Sequence, residues 1–294
     1  MGSLIDRAVE LIKSEGFTGA HNFIFLTRYA FLTNDKALLE LVGNTLGELD
    51  SMKPDATLAY AYTEYFQAQK EEFSAAAADY ILGTLLAEDQ CSDRMLLPAL
   101  AKAARVLGNE KYLRLAQILA EDSDSEACGG KAFLALGLLE LYRATYSGEY
   151  LAEAERIGRE LLAGFHNNFS PSDVYDIAGP SGNSAAAVLF DELARIFQTP
   201  GWKKARENQN RFISILCDKY PTAASFGMCA LLSDEFEWKT VKCVLPTGRP
   251  PKELDALLSF YSPLTEFLLE ENAEIETAEY YLQSNGALEK LADA

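Results

Sequence analysis

A repeat of turns constrains this chain more than any other feature. Thr33-Asn34-Asp35, Gln69-Lys70-Glu71, Gly108-Asn109-Glu110, Ser147-Gly148-Glu149 and Thr199-Pro200-Gly201 each separate two stretches with apolar residues at helical spacing. The first four follow one another about every 36–39 residues. That period fits a helix, a short turn and a second helix, a unit that buries its apolar face only against its neighbours. The spacing predicts helical segments over 4–13, 22–32, 36–49, 55–68, 72–86, 93–107, 110–120, 131–146, 149–165, 182–198, 202–218 and 222–232. Six such pairs either stack as an open solenoid or close into an (α/α)6 toroid with six inner and six outer helices.

Patterning favours closure. Even-numbered segments are small and apolar almost all round, as in Ala99-Leu100-Ala101-Lys102-Ala103-Ala104 and Ser184-Ala185-Ala186-Ala187-Val188-Leu189, which suits helices packed on several sides. Odd-numbered segments carry more charge, as in Glu153-Ala154-Glu155-Arg156-Ile157-Gly158-Arg159-Glu160, which suits a half-solvated outer layer. After residue 235 the pattern changes. Trp238 to Leu245 reads as a strand, Pro250-Pro251 opens a short helix running to about Tyr261, and further strands are expected near 264–269 and 277–282. The expected organisation is a mainly α toroid over residues 1–235, with a small α/β appendage over 236–294 packed on it.

Composition excludes several partners. The chain has 294 residues, 26 Lys+Arg against 44 Asp+Glu and a formal charge of −18, with no basic run, so nucleic acid and anionic membrane surfaces are repelled. No stretch reaches the roughly 20 apolar residues of a membrane span, and the start lacks a secretory pattern, so a cytoplasmic location is expected. Five widely spaced cysteines without a C-x-x-C pair argue against a disulfide framework, a zinc site or a redox centre. No metal and no cofactor are expected.

In a closed toroid the inner helices run parallel, so their N-termini share one rim. That places His21, Asn22, Asp55, Asp93, Arg94, Lys131, Asp176, Ser181, Asn183 and Ser225 around one funnel. Unpaired helix N–H groups there favour a small anion or sugar hydroxyls. Asp55 and Asp176 are the candidate carboxylate pair for glycoside chemistry. The plainer reading of Asp176, Ser181 and Asn183 is capping of the tenth helix. Only His21 and His166 are available for a two-histidine mechanism, and His166 falls at the opposite end. With Asp122 as the first position, the acidic run Glu121 to Glu126 has Ala127 and Phe133 in place of the Gly and Glu that a calcium loop needs at its sixth and twelfth positions, and reads as a solvated loop.

Several elements resemble a known family. Ala132-Phe133-Leu134, Gly137-Leu138-Leu139-Glu140-Leu141-Tyr142-Arg143-Ala144-Thr145, Pro180-Ser181-Gly182-Asn183-Ser184 and Tyr220-Pro221 look like the C-terminal part of the YyaL-type thioredoxin-domain proteins, relatives of the spermatogenesis-associated thioredoxin-like protein. Ala99 to Gly108 and Phe25-Leu26-Thr27-Arg28-Tyr29 extend the likeness upstream. The resemblance implies a six-hairpin toroid of the glycosidase and N-acylglucosamine 2-epimerase type, preceded in the family by a thioredoxin-like domain with a Cys-His-Trp-Cys-His motif. That domain is absent from this sequence.

Departures from the family pattern concern its motifs. Met52-Lys53-Pro54-Asp55-Ala56 stands where a longer His- and Glu-bearing segment is usual, Cys91-Ser92-Asp93-Arg94 replaces Ser-Trp-Asn, and Gly129-Gly130-Lys131-Ala132 replaces Asp-Asp-Tyr-Ala. These losses point to a catalytically degenerate domain that binds a small molecule, a glycan or a protein partner. The alternatives are a carbohydrate-active hydrolase or isomerase using Asp55 and Asp176, and a module serving a thioredoxin-like domain of a parent protein.

Overall fold

The computed structural model describes residues 3–48, 54–88, 92–122, 128–164, 173–247, 259–284 and 287–291. Among these are twelve α-helices: α1 Leu4–Glu15, α2 Ala20–Thr33, α3 Lys36–Gly47, α4 Ala56–Gln69, α5 Glu72–Ala87, α6 Leu96–Leu107, α7 Glu110–Asp122, α8 Cys128–Thr145, α9 Gly148–Gly164, α10 Gly182–Phe197, α11 Pro200–Lys219 and α12 Ser225–Glu235. All twelve predicted segments are helical, with ends displaced by a few residues. The repeated turns have one backbone cause. Asn34, Lys70, Gly108, Tyr146 and Gln198, which end or directly follow α2, α4, α6, α8 and α10, all have positive φ. A left-handed residue at that point stops the helix and reverses the chain.

Starts are set by side chains. Ser3 and Asp6 form a reciprocal capping box at α1, while Asp35, Asp55 and Ser181 accept from backbone N–H groups at the starts of α3, α4 and α10. The even-numbered helices pack in sequence, α2 on α4, α4 on α6, α6 on α8, α8 on α10, α10 on α12, and α12 back on α2. Each odd-numbered helix from α3 to α11 packs on the even-numbered helix before it, as α3 on α2, α5 on α4, α7 on α6, α9 on α8 and α11 on α10. Phe23, Phe25, Phe133, Phe190, Leu96 and Leu82 are fully buried in one continuous core.

Close approach of the even-numbered helices depends on small residues. A Cβ at Gly137 of α8 would sit 2.4 Å from Leu97 Cγ of α6. Gly137→Ala is therefore expected to cost about 1–3 kcal/mol by overpacking, read as a lower urea midpoint.

Four strands form the C-terminal sheet: β1 Lys239–Pro246, β2 Thr265–Asn272, β3 Glu279–Ser284 and β4 Ala287–Lys290. Their order is β2-β1-β3-β4, with β1 parallel to β2 and the other pairs antiparallel. Three strands match the expected ones. β4 was not expected, because all four of its residues are exposed and carry no alternation of apolar and polar positions. The expected helix from Pro250 lies largely outside the described residues, as do the acidic run from Ser123 and His166.

The sheet and the segment before β2 rest on the C-terminal ends of the even-numbered helices. Gln67 Nε2 donates to Phe260 O at 2.8 Å, Tyr261 Oη to Glu64 at 2.9 Å, Thr240 Oγ1 to Arg195 O at 2.9 Å, and Leu269 N to Tyr142 Oη at 3.1 Å.

Candidate functional site

Around the N-terminal rim, the sequence-derived residues act chiefly as caps. Asp55 Oδ1 accepts from Leu58 N at 2.8 Å, and Asp93 accepts from Ala56 N and Met95 N, both at 2.9 Å. Asp176 accepts from Ser181 N at 2.8 Å and from Phe226 N at 2.9 Å, so it ties the start of α10 to the start of α12. Capping was expected for the tenth helix alone; the loop before α10 also lies against α12, where Asp176 N donates to Ala223 O. Ser181 Oγ caps Ser184 N, and Asn183 Nδ2 holds Asp173 O.

The remaining rim residues are likewise engaged. Asn22 Nδ2 donates to Ser225 Oγ at 2.8 Å and Thr222 O at 3.0 Å, while its Oδ1 takes bonds from Thr18 and Gly19. His21 Nε2 contacts Thr222 O at 3.1 Å. Arg94 forms a two-point pair with Asp173 and stacks over Phe133, and Lys131 pairs with Glu160. Burial pushes the Asp55 and Asp176 carboxyls up from their usual range, while hydrogen bonds from backbone N–H groups pull them back. Asp176→Ala strips acceptors from two buried N–H groups and is expected to cost roughly 2–4 kcal/mol in urea unfolding. A much smaller loss would free Asp176 for a chemical role.

The opposite end holds a group of charges that sequence reading did not nominate. Arg28 from α2, Glu64 from α4, Lys102 and Arg105 from α6, Glu140 and Arg143 from α8, and Glu192 from α10 converge there with Glu266 of β2. Glu64 is held by Arg28 Nε at 2.9 Å, Lys102 Nζ at 2.6 Å and Tyr261 Oη at 2.9 Å. Glu140 accepts from Tyr60, Arg105 and Arg143 at 3.1–3.2 Å. Arg143 also reaches Glu192 and Glu266, each at 3.0 Å, and Glu266 takes Arg195 Nη1 at 2.8 Å. Arg195 in turn pairs with Asp191, which also faces Arg206 and Ser233.

These contacts split the carboxyls into two groups. Burial opposes charge on Glu64, but Arg28 and Lys102 outweigh it and hold the carboxyl down at about 2; Glu140 is likewise held well below its usual range by Lys102, Arg143 and Arg105. Burial wins at Glu192, whose carboxyl is pushed up, with Glu266 nearby adding to the effect and Arg143 opposing it. Burial also lowers Lys102, against the pull of Glu64.

A pH dependence follows for stability. Glu64 and Glu140 contribute stabilisation that is complete above the unfolded value near 4.5 and is lost as pH falls towards about 2. The raised carboxyls act with the opposite sign: their penalty is relieved as pH falls to the ordinary values, near 3.8 for Asp55, Asp176 and Asp191 and 4.5 for Glu192, and adds no slope only below them. Urea midpoints should therefore fall as pH drops below about 3.8 towards 2.5, and a flat profile there would contradict this assignment.

Between these side chains lies a cavity of about 70 Å³, partly open to solvent and also lined by Tyr146, Phe260 and Tyr261. A smaller adjoining space is walled by Met95, Pro98, Leu136, Val188 and Phe226 and shares Arg28, Glu140, Arg143 and Glu192. The first space is thus lined mainly by charged groups, and the second adds apolar walls. A groove of about 870 Å³ lies elsewhere, between α3 and α5, with Leu39, Phe31, Phe73 and Tyr65 among its walls. Among the described residues its walls come from consecutive helices α2 to α5 and their turns, whereas five helices and a strand bring charged groups to the first cavity.

A faint signal for this cluster exists in the sequence. Arg28, Glu64, Lys102, Glu140 and Glu192 are isolated charges in otherwise apolar even-numbered segments, and their signs complement one another from helix to helix. They are buried in the structure.

Comparison with known proteins leaves the function open. No family model matches the chain, and no curated protein does. Among solved structures, the Lin0763 protein from Listeria innocua is similar with a TM-score of 0.55 and 14% identity, over 74% of this chain and 85% of that one. At that identity the likeness concerns the fold alone. No helix among the described residues is long and apolar enough to cross a membrane.

Proposed function

We propose that the twelve helices close into an (α/α)6 toroid and that the protein binds a small charged metabolite in the axial cavity beneath its C-terminal sheet. The resemblance of Ala132 to Leu232 to the YyaL-type C-terminal region supports this architecture, and so does the return of α12 onto α2. The observation that carries the binding reading is the cavity wall. Four cations, Arg28, Lys102, Arg105 and Arg143, face four anions, Glu64, Glu140, Glu192 and Glu266, around a space that admits solvent. A network serving stability alone gains little from such groups, since buried ion pairs recover their desolvation cost only with good geometry.

The carbohydrate-active alternative is less well supported. Asp55 and Asp176 are engaged by backbone N–H groups, which lowers their availability as acid and base. A thermal-shift panel of small charged metabolites and neutral sugars tests the choice. A ligand at a hundredfold excess over its Kd adds about 2.7 kcal/mol, a shift of several degrees. Stabilisation by charged metabolites supports the cavity; stabilisation by sugars alone overturns it.

A further inference from the structure

Glu192 is the one cavity carboxylate left incompletely bonded. Among the described residues its only hydrogen bond is from Arg143 to Oε2, and its side chain is 8% exposed. The other three have both oxygens engaged: Glu64 by Arg28, Lys102 and Tyr261, Glu140 by Tyr60, Arg105 and Arg143, and Glu266 by Arg143 and Arg195. Lys102, which also lines the cavity, gives one of its three N–H donors to Glu64 and lies 4.7 Å from the Tyr60 ring centroid. A partly unmet acceptor and a cation with donors to spare therefore border the same space. Buried groups of this kind are costly unless something pairs with them.

Size and charge narrow the occupant. About 70 Å³ holds roughly five to seven water-sized units, at about 10–15 Å³ each. The wall is already balanced at four charges of each sign, so an occupant with net charge leaves one charge without a counterpart. A zwitterion of five to seven non-hydrogen atoms keeps the balance, roughly the size of glycine, alanine or serine. Resting on the cavity reading above, we infer that the ligand is a small α-amino acid, its ammonium on Glu192 and its carboxylate on Lys102.

Calorimetric titration of the full chain tests this with glycine, L-alanine and L-serine against three deletions of chemistry: propionate without the amine, ethylamine without the carboxylate, and lactate with a hydroxyl in place of the amine. The amino acids should bind at least tenfold more tightly than all three. Glu192→Gln keeps the shape of the side chain and leaves Arg143 with Glu140 and Glu266. It should weaken alanine at least tenfold and leave propionate unchanged. Lactate binding as tightly as alanine, with no effect of Glu192→Gln on either, would overturn the amino-acid assignment while sparing the cavity as a binding site. Heat from none of the six compounds would overturn this inference, and the metabolite panel then decides the cavity reading separately. Should Glu192→Gln not fold, the ligand series in the native protein decides alone.

Discussion

Replacing Glu64 by Gln should lower stability by about 3–5 kcal/mol, the largest single-residue loss expected in the chain. Glu64 is the shared counterion of Arg28 and Lys102, both buried, and also accepts from Tyr261. Glutamine keeps the shape but leaves two buried cations without their main partner, and burial of unpaired charge is what makes the loss large. Total stability for a domain is of order 5–15 kcal/mol, so the variant should unfold at far lower urea. Exchanging the whole triad, Arg28→Met with Glu64→Leu and Lys102→Met, should recover most of that loss, because well-packed apolar groups replace buried ion pairs at little cost. It should also remove metabolite binding. A triad variant that is stable but inert would separate the two roles of the network.

Arg143→Leu should be nearly as damaging, at about 3–5 kcal/mol, but with a different signature. Arg143 joins α8, α10 and β2 through Glu140, Glu192 and Glu266. Glu140 retains Arg105 and Glu266 retains Arg195, whereas Glu192 loses the one hydrogen-bond partner it has among the described residues. An unpaired buried carboxylate has a raised folded pKa, and its penalty is relieved as pH falls through that value. The deficit relative to the native protein should therefore be greatest near pH 8 and shrink towards pH 5. Hydrogen exchange should show β2 opening ahead of the helices, since Glu266 is a main anchor of the sheet on them. A deficit independent of pH would mean that Glu192 does not carry it.

Most of the helical order was legible because period and turn chemistry agree. Asn34, Gly108 and Asp35 are residue types that stop or start helices, and Leu38, Leu39, Val42 and Leu46 keep the 3.6-residue rhythm between such signals. Lys70, Tyr146 and Gln198 adopt the same left-handed conformation although their side chains do not favour positive φ, so the spacing of the turns marked them and their residue type did not. Strand β4 was missed for want of a buried face.

The ionic cavity was hidden for another reason. A charge such as Lys102 within Ala-rich sequence, or Glu140 between leucines, looks from one segment alone like a solvated position. Only the packing of neighbouring helices brings Lys102 to Glu64, or Arg143 to Glu192 and Glu266. The rim residues were legible as a group because each begins a helix, but helix starts attract capping groups whether or not they bind anything. Asp55, Asp176 and Ser181 all fill that structural need.

Blocking each end of the axis in turn distinguishes the two locations most directly. Ser262 lines the cavity, and Ser262→Trp should fill it without removing any of its charges; Asp55→Asn alters the opposite rim. L-alanine and D-glucose would be titrated into the native protein and both variants. Alanine should bind the native and Asp55→Asn proteins alike, and Ser262→Trp should abolish the signal. Glucose binding that survives Ser262→Trp and disappears in Asp55→Asn would contradict this and move the functional site to the N-terminal rim.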